Sequence, residues 1–282
     1  METAGVRRRG PLRKAVQFIR RRWRRWRADV HIVSFPKCGR TWLVLLIATV
    51  LQKHYGIRTR KPLRLRGYAW RRREIPYILQ HHDGGPEFQR PDELPTDKGF
   101  YAGKRVVFLV RDPRDVLVST YFQKSRRNYN FEGSLSDYVH HPVGGIETIV
   151  RFYNIWATHR DVPRAFLLLT YEDLHRDTVG ELRRVIEFLG LSGVADATLE
   201  RAAEYCRFDN MRRLEAGNEL GSSALAARDA NDEETFKTRK GQVGGYTEYL
   251  SAEDIAYIDA VIDAQLDPLY AMYRRSATGA RT

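Results

Sequence analysis

The sequence predicts an α/β fold, a single domain in which a central parallel β-sheet is flanked by helices. Three observations lead there. The apolar run Val30-His31-Ile32-Val33-Ser34-Phe35 ends in Pro36-Lys37-Cys38-Gly39-Arg40-Thr41, and a helical stretch then continues to about Tyr55. That order is strand, tight loop and helix. Arg105 to Val110 is a continuous β-branched apolar run, as expected of a strand buried on both faces. Strand patterns then keep alternating with helical ones, which implies parallel strands covered on both sides.

The remaining elements follow in order. Residues 75–82 read as a second strand and 105–111 as a third. The third ends at Arg111-Asp112-Pro113, where Asp112 suits a helix N-cap and Pro113 a first helical turn, so a helix is expected from Pro113 to about Arg126. Gly145 to Arg160 reads as an amphipathic helix with Ile149, Phe152, Tyr153 and Trp156 on one side. Ala165 to Thr170 is a fourth strand, and further helices are expected at about 178–189, 196–205 and 252–266. The loop Gly84 to Lys98 holds three prolines and is long enough to be functional. No internal repeat is present.

Composition narrows the class. A chain of 282 residues can bury one core of ordinary large size. Cys38 and Cys206 do not make a disulfide framework, so a reducing, cytoplasmic compartment is expected. The longest apolar run, Trp42 to Leu51, is too short to span a bilayer, and no apolar signal segment follows the N-terminal charges. The formal charge of +13 is uneven: residues 1–27 carry +10, residues 58–74 carry +7, and the rest sums to −4.

These blocks set the domain boundaries. Residues 1–27 are a basic arm, 28–275 the main domain and 276–282 a tail. In the arm, Leu12, Val16, Ile19, Trp23 and Trp26 recur at helical spacing. A basic amphipathic helix suits peripheral contact with a membrane surface or an acidic partner through residues 7–27. The other reading packs Ile19, Trp23 and Trp26 on the domain and leaves the arginines in water. The second block surrounds Gly67-Tyr68-Ala69-Trp70. Its aromatics could stack on sugar rings or bases, or the segment could be a solvated loop.

The loop after the first strand carries the chemistry. Backbone N–H groups gathered at a strand-to-helix turn, with the positive helix end behind them, suit a bound phosphate. The pattern is not that of nucleoside triphosphatases, G-x-x-x-x-G-K-[ST], because Lys37 comes first, directly after Pro36. An ordinary strand-to-helix turn could also carry such residues by chance. Arg111 leaves the carboxyl end of a parallel strand, where open α/β sheets place ligands, and Ser119 lies two turns further on. A third segment, Phe236 to Gly245, is basic and loop-like.

Together, in this order, these segments resemble the PAPS-dependent sulfotransferases, which take a sulfuryl group from 3′-phosphoadenosine 5′-phosphosulfate. The family's first signature, roughly [ST]-[YF]-P-K-[SC]-G-x-[TS]-W, is matched by Ser34 to Trp42. R-[ND]-P-x-D-V-x-x-S is matched from Arg111 to Ser119, and R-K-G-x-x-G from Arg239 to Gly244. Leu169 to Leu174 carries the family's Y-E-D. The resemblance covers about residues 30 to 270 and implies a P-loop-like nucleotide fold. The implied reaction is in-line sulfuryl transfer from PAPS to a hydroxyl or amine acceptor, without a metal, giving adenosine 3′,5′-bisphosphate (PAP). Small-molecule, lipid and carbohydrate acceptors all remain open, and no nucleic-acid partner is implied.

The resemblance also implies roles. Lys37 would donate to the bridging oxygen as charge builds there. Backbone N–H groups of Cys38, Gly39, Arg40, Thr41 and Trp42 would cradle the 5′-phosphate with the Thr41 hydroxyl, and Trp42 would stack on adenine. Arg111, Ser119, Arg239, Lys240 and Gly241 would hold the 3′-phosphate, through the planar donor fork of arginine where it is present. Phe208 would face adenine and Tyr171 the base edge. His82, aligned on the end of the second strand, would be the general base. Asp83 could orient it or replace it. His81 should point off the opposite face of the strand.

Several departures accompany the match. Gln80 stands where the family often has lysine, so a helper of the sulfuryl group is absent or replaced. The common dimer motif K-x-x-x-T-V-x-x-x-E is lost, with Thr247, Ser251, Ala252 and Ala256 in its places, and the oligomeric state stays open. Cys38 replaces the usual serine, and a thiol at a helix N-terminus could be activated. Two other classes compete: a P-loop kinase, disfavoured by the missing G-K-[ST], and an idle nucleotide- or polyanion-binding protein, disfavoured by a complete set of reactive residues.

Overall fold

The computed structural model describes residues 19–20, 22–128, 130–222, 236 and 241–275. Most of the basic arm, the tail 276–282, and Arg239 and Lys240 of the third segment lie outside the described residues.

Four strands form one parallel sheet in the order β2-β1-β3-β4. They are β1 Val30–Ser34, β2 Ile78–His81, β3 Arg105–Val110 and β4 Ala165–Thr170. β3 is buried from Val106 to Val110, as its unbroken apolar run predicted, and β1 is buried along its whole length, its polar His31 and Ser34 included. Each of those β3 side chains contributes about 1.5–3 kcal/mol on full burial. From β1 the chain goes first to one side, to β2, and then to the other, to β3. The carboxyl ends of β1 and β3 therefore flank the reversal of strand order, where α/β sheets open a crevice.

The helices are α1 Arg40–Tyr55, α2 Pro113–Phe122, α3 Leu135–Val139, α4 Ile146–Thr158, α5 Tyr171–Arg176, α6 Thr178–Phe188, α7 Asp196–Tyr205, α8 Phe208–Ala216 and α9 Ala252–Gln265. Helix α1 is buried from Leu43 to Leu51 on all sides, which explains its continuous apolar sequence. Ile149, Phe152, Tyr153 and Trp156 of α4 enter the core together, as their spacing predicted.

Some boundaries differ from the expectation. Residues 75–77 precede β2 rather than joining it, because Pro76 removes a ladder donor. The α-helix from Pro113 stops at Phe122 and widens into a π-turn, Gln123–Asn128. α3, α5 and α8 are short, and their sequences carried too few turns to show a period. The basic segment 58–74 is held by buried Leu63, Leu65 and Tyr68.

Residues 22–27 are helical and lie against the domain in the reverse sense to the packed reading. Ile19, Trp23 and Trp26 are exposed at 64%, 48% and 67%, whereas Arg25 reaches inward to Asp83 at 3.1 Å. Arg27 stacks on Trp23 and on Trp70, with 5.1 and 4.3 Å to the ring centres, so the two basic blocks meet on one surface. Among the described residues no helix is long and apolar enough to cross a membrane.

Candidate active site

The loop after β1 is built on two left-handed residues. Lys37 has φ 71° and Gly39 φ 87°. Lysine in that region is uncommon, and such strain persists where the surroundings enforce it. Glycine is required at 39 for a second reason: a Cβ there would lie 2.5 Å from Cδ2 of Tyr171. Gly39 is also the N-cap of α1, and no side chain caps it. The first amides of α1 thus face a cavity of about 470 Å³.

That cavity collects the residues picked from sequence. Lys37, Gly39, Arg40, Thr41 and Trp42 line it from the first loop, and His82 from the end of β2. Arg111, Ser119, Tyr171, Phe208 and Gly241 line it as well. Cys38 does not. Its side chain is fully buried, its Sγ lies 3.4 Å from the Tyr153 hydroxyl, and burial pushes the thiol up to about 12. Only its backbone is available to the loop, and burial works against an activated thiol.

Arg111 is fixed on three sides. It donates to Asp115 Oδ2 at 3.1 Å and to the Gln242 carbonyl at 2.8 Å, and its guanidinium lies 4.4 Å from the Tyr171 ring centre. Burial opposes its charge, but Asp115 and Tyr171 outweigh it and hold the pKa above the ordinary value. Asp115 also accepts from the Gly244 and Tyr246 amides at 2.9 and 3.0 Å. It therefore ties the third segment to the second. Sequence reading matched Asp115 within a signature and gave it no role. Its spacing of four from Arg111, one helical turn, was the available signal. Tyr153 was read as core only. Its hydroxyl donates to the Arg111 carbonyl at 2.8 Å and accepts from the Arg111 amide at 3.1 Å, which pins the end of β3 beside Cys38.

The aromatic side is equally constrained. Trp42 donates from Nε1 to the Cys206 carbonyl at 2.9 Å, leaving its ring on the cavity wall. Phe208 covers Gly241, where a Cβ would come within 2.2 Å of the ring. Gly241, at φ 64°, is therefore another position that only glycine fits.

The three base candidates separate cleanly. His82 faces the cavity; its Nδ1 donates to the Ser34 carbonyl at 2.9 Å, which leaves the lone pair on Nε2. His81 points the other way. Its Nδ1 accepts from the Asp83 amide at 3.1 Å and its Nε2 donates to His31 Nδ1 at 2.9 Å. Burial first, then the neighbouring His31, drops His81 well below the usual imidazole range, and burial and Arg25 lower His31 to about 3. Asp83 is buried in an ion cluster with Lys98 at 2.9 Å, Arg25 at 3.1 Å and the Tyr101 hydroxyl at 2.5 Å. Gln80 turns away and donates to the Leu63 carbonyl at 2.6 Å.

A family model described as the sulfotransferase domain matches residues 27–270. The chain belongs to the sulfotransferase family. It is 25% identical over 269 residues to sulfotransferase 2A1 of Mus musculus, covering 90% of each chain. It is 24% identical over 259 residues to cytosolic sulfotransferase 17 of Arabidopsis thaliana, covering 83% of this chain and 73% of that one. Among solved structures, mouse sulfotransferase SULT7A1 complexed with PAP aligns with a TM-score of 0.57 and 20% identity, covering 86% of both chains. Retinol dehydratase in complex with androsterone and PAP aligns at 0.60 and 18%, covering 85% and 81%. The sulfotransferase fold expected from the three signatures is therefore the fold present.

Asp83 in this sulfotransferase sits in the ion cluster and does not line the cavity. Replacing Asp83 with alanine leaves Lys98 buried without its carboxylate, a loss of about 3–5 kcal/mol. Chemical denaturation of Asp83→Ala should show that loss, with PAP affinity of the folded fraction unchanged. Unaltered stability with lost turnover would give Asp83 a chemical role.

Proposed function

We propose that the chain transfers a sulfuryl group from PAPS to a hydroxyl of a small-molecule, lipid or carbohydrate acceptor, with residues 28–275 as the transfer domain. The observation that carries this reading is the convergence of Lys37, Arg111, Ser119 and the His82 Nε2 lone pair on one cavity at the carboxyl ends of β1 and β3. A donor with two phosphate groups needs two anion sites, and the chain offers two. Loop amides, Lys37 and Thr41 suit the 5′ side. Arg111 and Ser119, closed over by the segment beginning at Gly241, suit the 3′-phosphate.

The residues then divide the work. His82 Nε2 takes the proton of the acceptor hydroxyl as its oxygen bonds to sulfur. The sulfur–oxygen bond to the nucleotide phosphate breaks with its electron pair staying on that phosphate, and Lys37 donates to the oxygen so charged. Trp42 and Phe208 both line the cavity, and their rings suit adenine. The cations of the chain balance the donor's charge without a metal.

The exposed aromatic surface supports a peripheral role at an anionic membrane from the cytoplasmic side. Trp23, Trp26 and Trp70 are exposed beside Arg27, within blocks carrying +10 and +7. Tryptophans that insert at the headgroup level, with arginines drawn to anionic lipid, are the usual interfacial pairing.

With chelator present, PAPS should be consumed with one PAP and one sulfate ester formed, checked by mass spectrometry across a panel of alcohols. His82→Ala should lower turnover by about 10²-fold with near-normal PAP affinity, whereas Arg111→Ala should weaken PAP binding by about 2 kcal/mol. Binding that needs Mg²⁺, or phosphate rather than sulfate in the product, would overturn the reading. Separately, the protein should sediment with phosphatidylserine vesicles and not with phosphatidylcholine ones, and the triple change Trp23→Ala, Trp26→Ala, Trp70→Ala should release it. Retention of the triple variant on the vesicles would refute membrane contact through this surface.

A further inference from the structure

Gln80 leaves a vacancy in the sulfuryl-handling chemistry, and one side chain in the cavity fills it. Gln80 is committed to the Leu63 carbonyl, so its amide does not reach the site. Arg40, the variable position of the first signature, sends its guanidinium across to the end of β2 instead. Its Nη2 donates to His82 Nε2 at 2.7 Å, and both residues line the cavity. Its Nη1 is sealed from solvent and meets no acceptor among the described residues. Burial lowers the guanidinium to about 10, with Glu87 acting in the opposite sense, so it stays a cation at neutral pH.

A buried charged donor without an acceptor costs free energy that a ligand oxygen can recover. The ligand atom that must sit within reach of His82 Nε2 is the acceptor oxygen, and the sulfuryl group lies next to it along the line of transfer. We infer that the Arg40 side chain binds an oxygen of the transferred sulfuryl group, and that its bond to His82 Nε2 holds the base until the acceptor hydroxyl displaces it. Sequence reading had assigned Arg40 only a backbone contact. The inference rests on the PAPS reading of the cavity.

The geometry makes the guanidinium a clamp with two ends. One end holds the imidazole in the orientation that the Ser34 carbonyl has already set. The other offers a donor where negative charge on the sulfuryl oxygens must be balanced. Lys37, on the same loop, serves the leaving oxygen. Arg40 thus separates stabilisation of the moving group from stabilisation of the leaving group. It also makes the base unavailable to a stray proton donor before the acceptor arrives.

PAP lacks the sulfuryl group and PAPS carries it, so equilibrium binding of the two isolates the contact. Calorimetry without acceptor should show that Arg40→Ala binds PAP within about twofold of the unchanged protein. The same variant should bind PAPS about tenfold more weakly, the scale of one charge-assisted hydrogen bond. Turnover should fall by about 10²-fold. Arg40→Lys, which keeps the charge and one donor, should recover part of both losses. PAP affinity doubles as the check that each variant is folded. A PAPS-to-PAP affinity ratio in Arg40→Ala equal to that of the unchanged protein overturns the inference, whatever happens to turnover. Failure of the unchanged protein to bind PAP would strike the PAPS reading itself.

Discussion

Everything in the site depends on one steric constraint, the absence of a side chain at Gly39. The loop must turn with φ positive at Lys37 and Gly39 for α1 to begin where its amides face the cavity. The same missing Cβ leaves room for the Tyr171 ring to pack against residue 39. Tyr171 in turn stacks on Arg111, and Arg111 is shared between Asp115 and the Gln242 carbonyl. Four chain segments far apart in sequence are therefore held through a single line of contacts. The first loop and the Arg111 segment therefore cannot shift independently.

Much of this arrangement was readable because a functional loop at a parallel strand end has few solutions. An apolar strand, a glycine that permits φ positive and a helix start fix the backbone. The spacing from Arg111 to Ser119 fixes a second helix against it. Strand alternation also separated His81 from His82. What could not be read were the contacts made across the sheet. Tyr153 looks like any core aromatic on an amphipathic helix, and only the fold places its hydroxyl between Cys38 and Arg111. The direction of the Arg40 side chain is equally invisible in sequence, since a residue at the first turn of a helix can point to either wall.

The two basic blocks illustrate the limit of periodicity. The spacing of Ile19, Trp23 and Trp26 correctly places them on one helical face but does not say which way that face turns. The ion cluster decides it. Asp83 and the Tyr101 hydroxyl offer buried acceptors to Arg25, and that pull orients the helix with its tryptophans outward. Arg27 then lies between Trp23 and Trp70 and joins the arm to the second block. Because Asp83 directly follows His82, the cluster that seats the arm also anchors the end of β2 at the catalytic cavity.

The left-handed loop at Gly39 underlies the proposed nucleotide site. The most direct test is a calorimetric titration of PAP, in chelator, into the unchanged protein and into Gly39→Ala. A methyl group at 39 meets both an unfavourable φ, about 1–3 kcal/mol of strain, and the Tyr171 ring. Gly39→Ala should stay folded, keep its circular dichroism spectrum, and bind PAP at least about tenfold more weakly. Equal affinity of the two proteins for PAP would contradict the account.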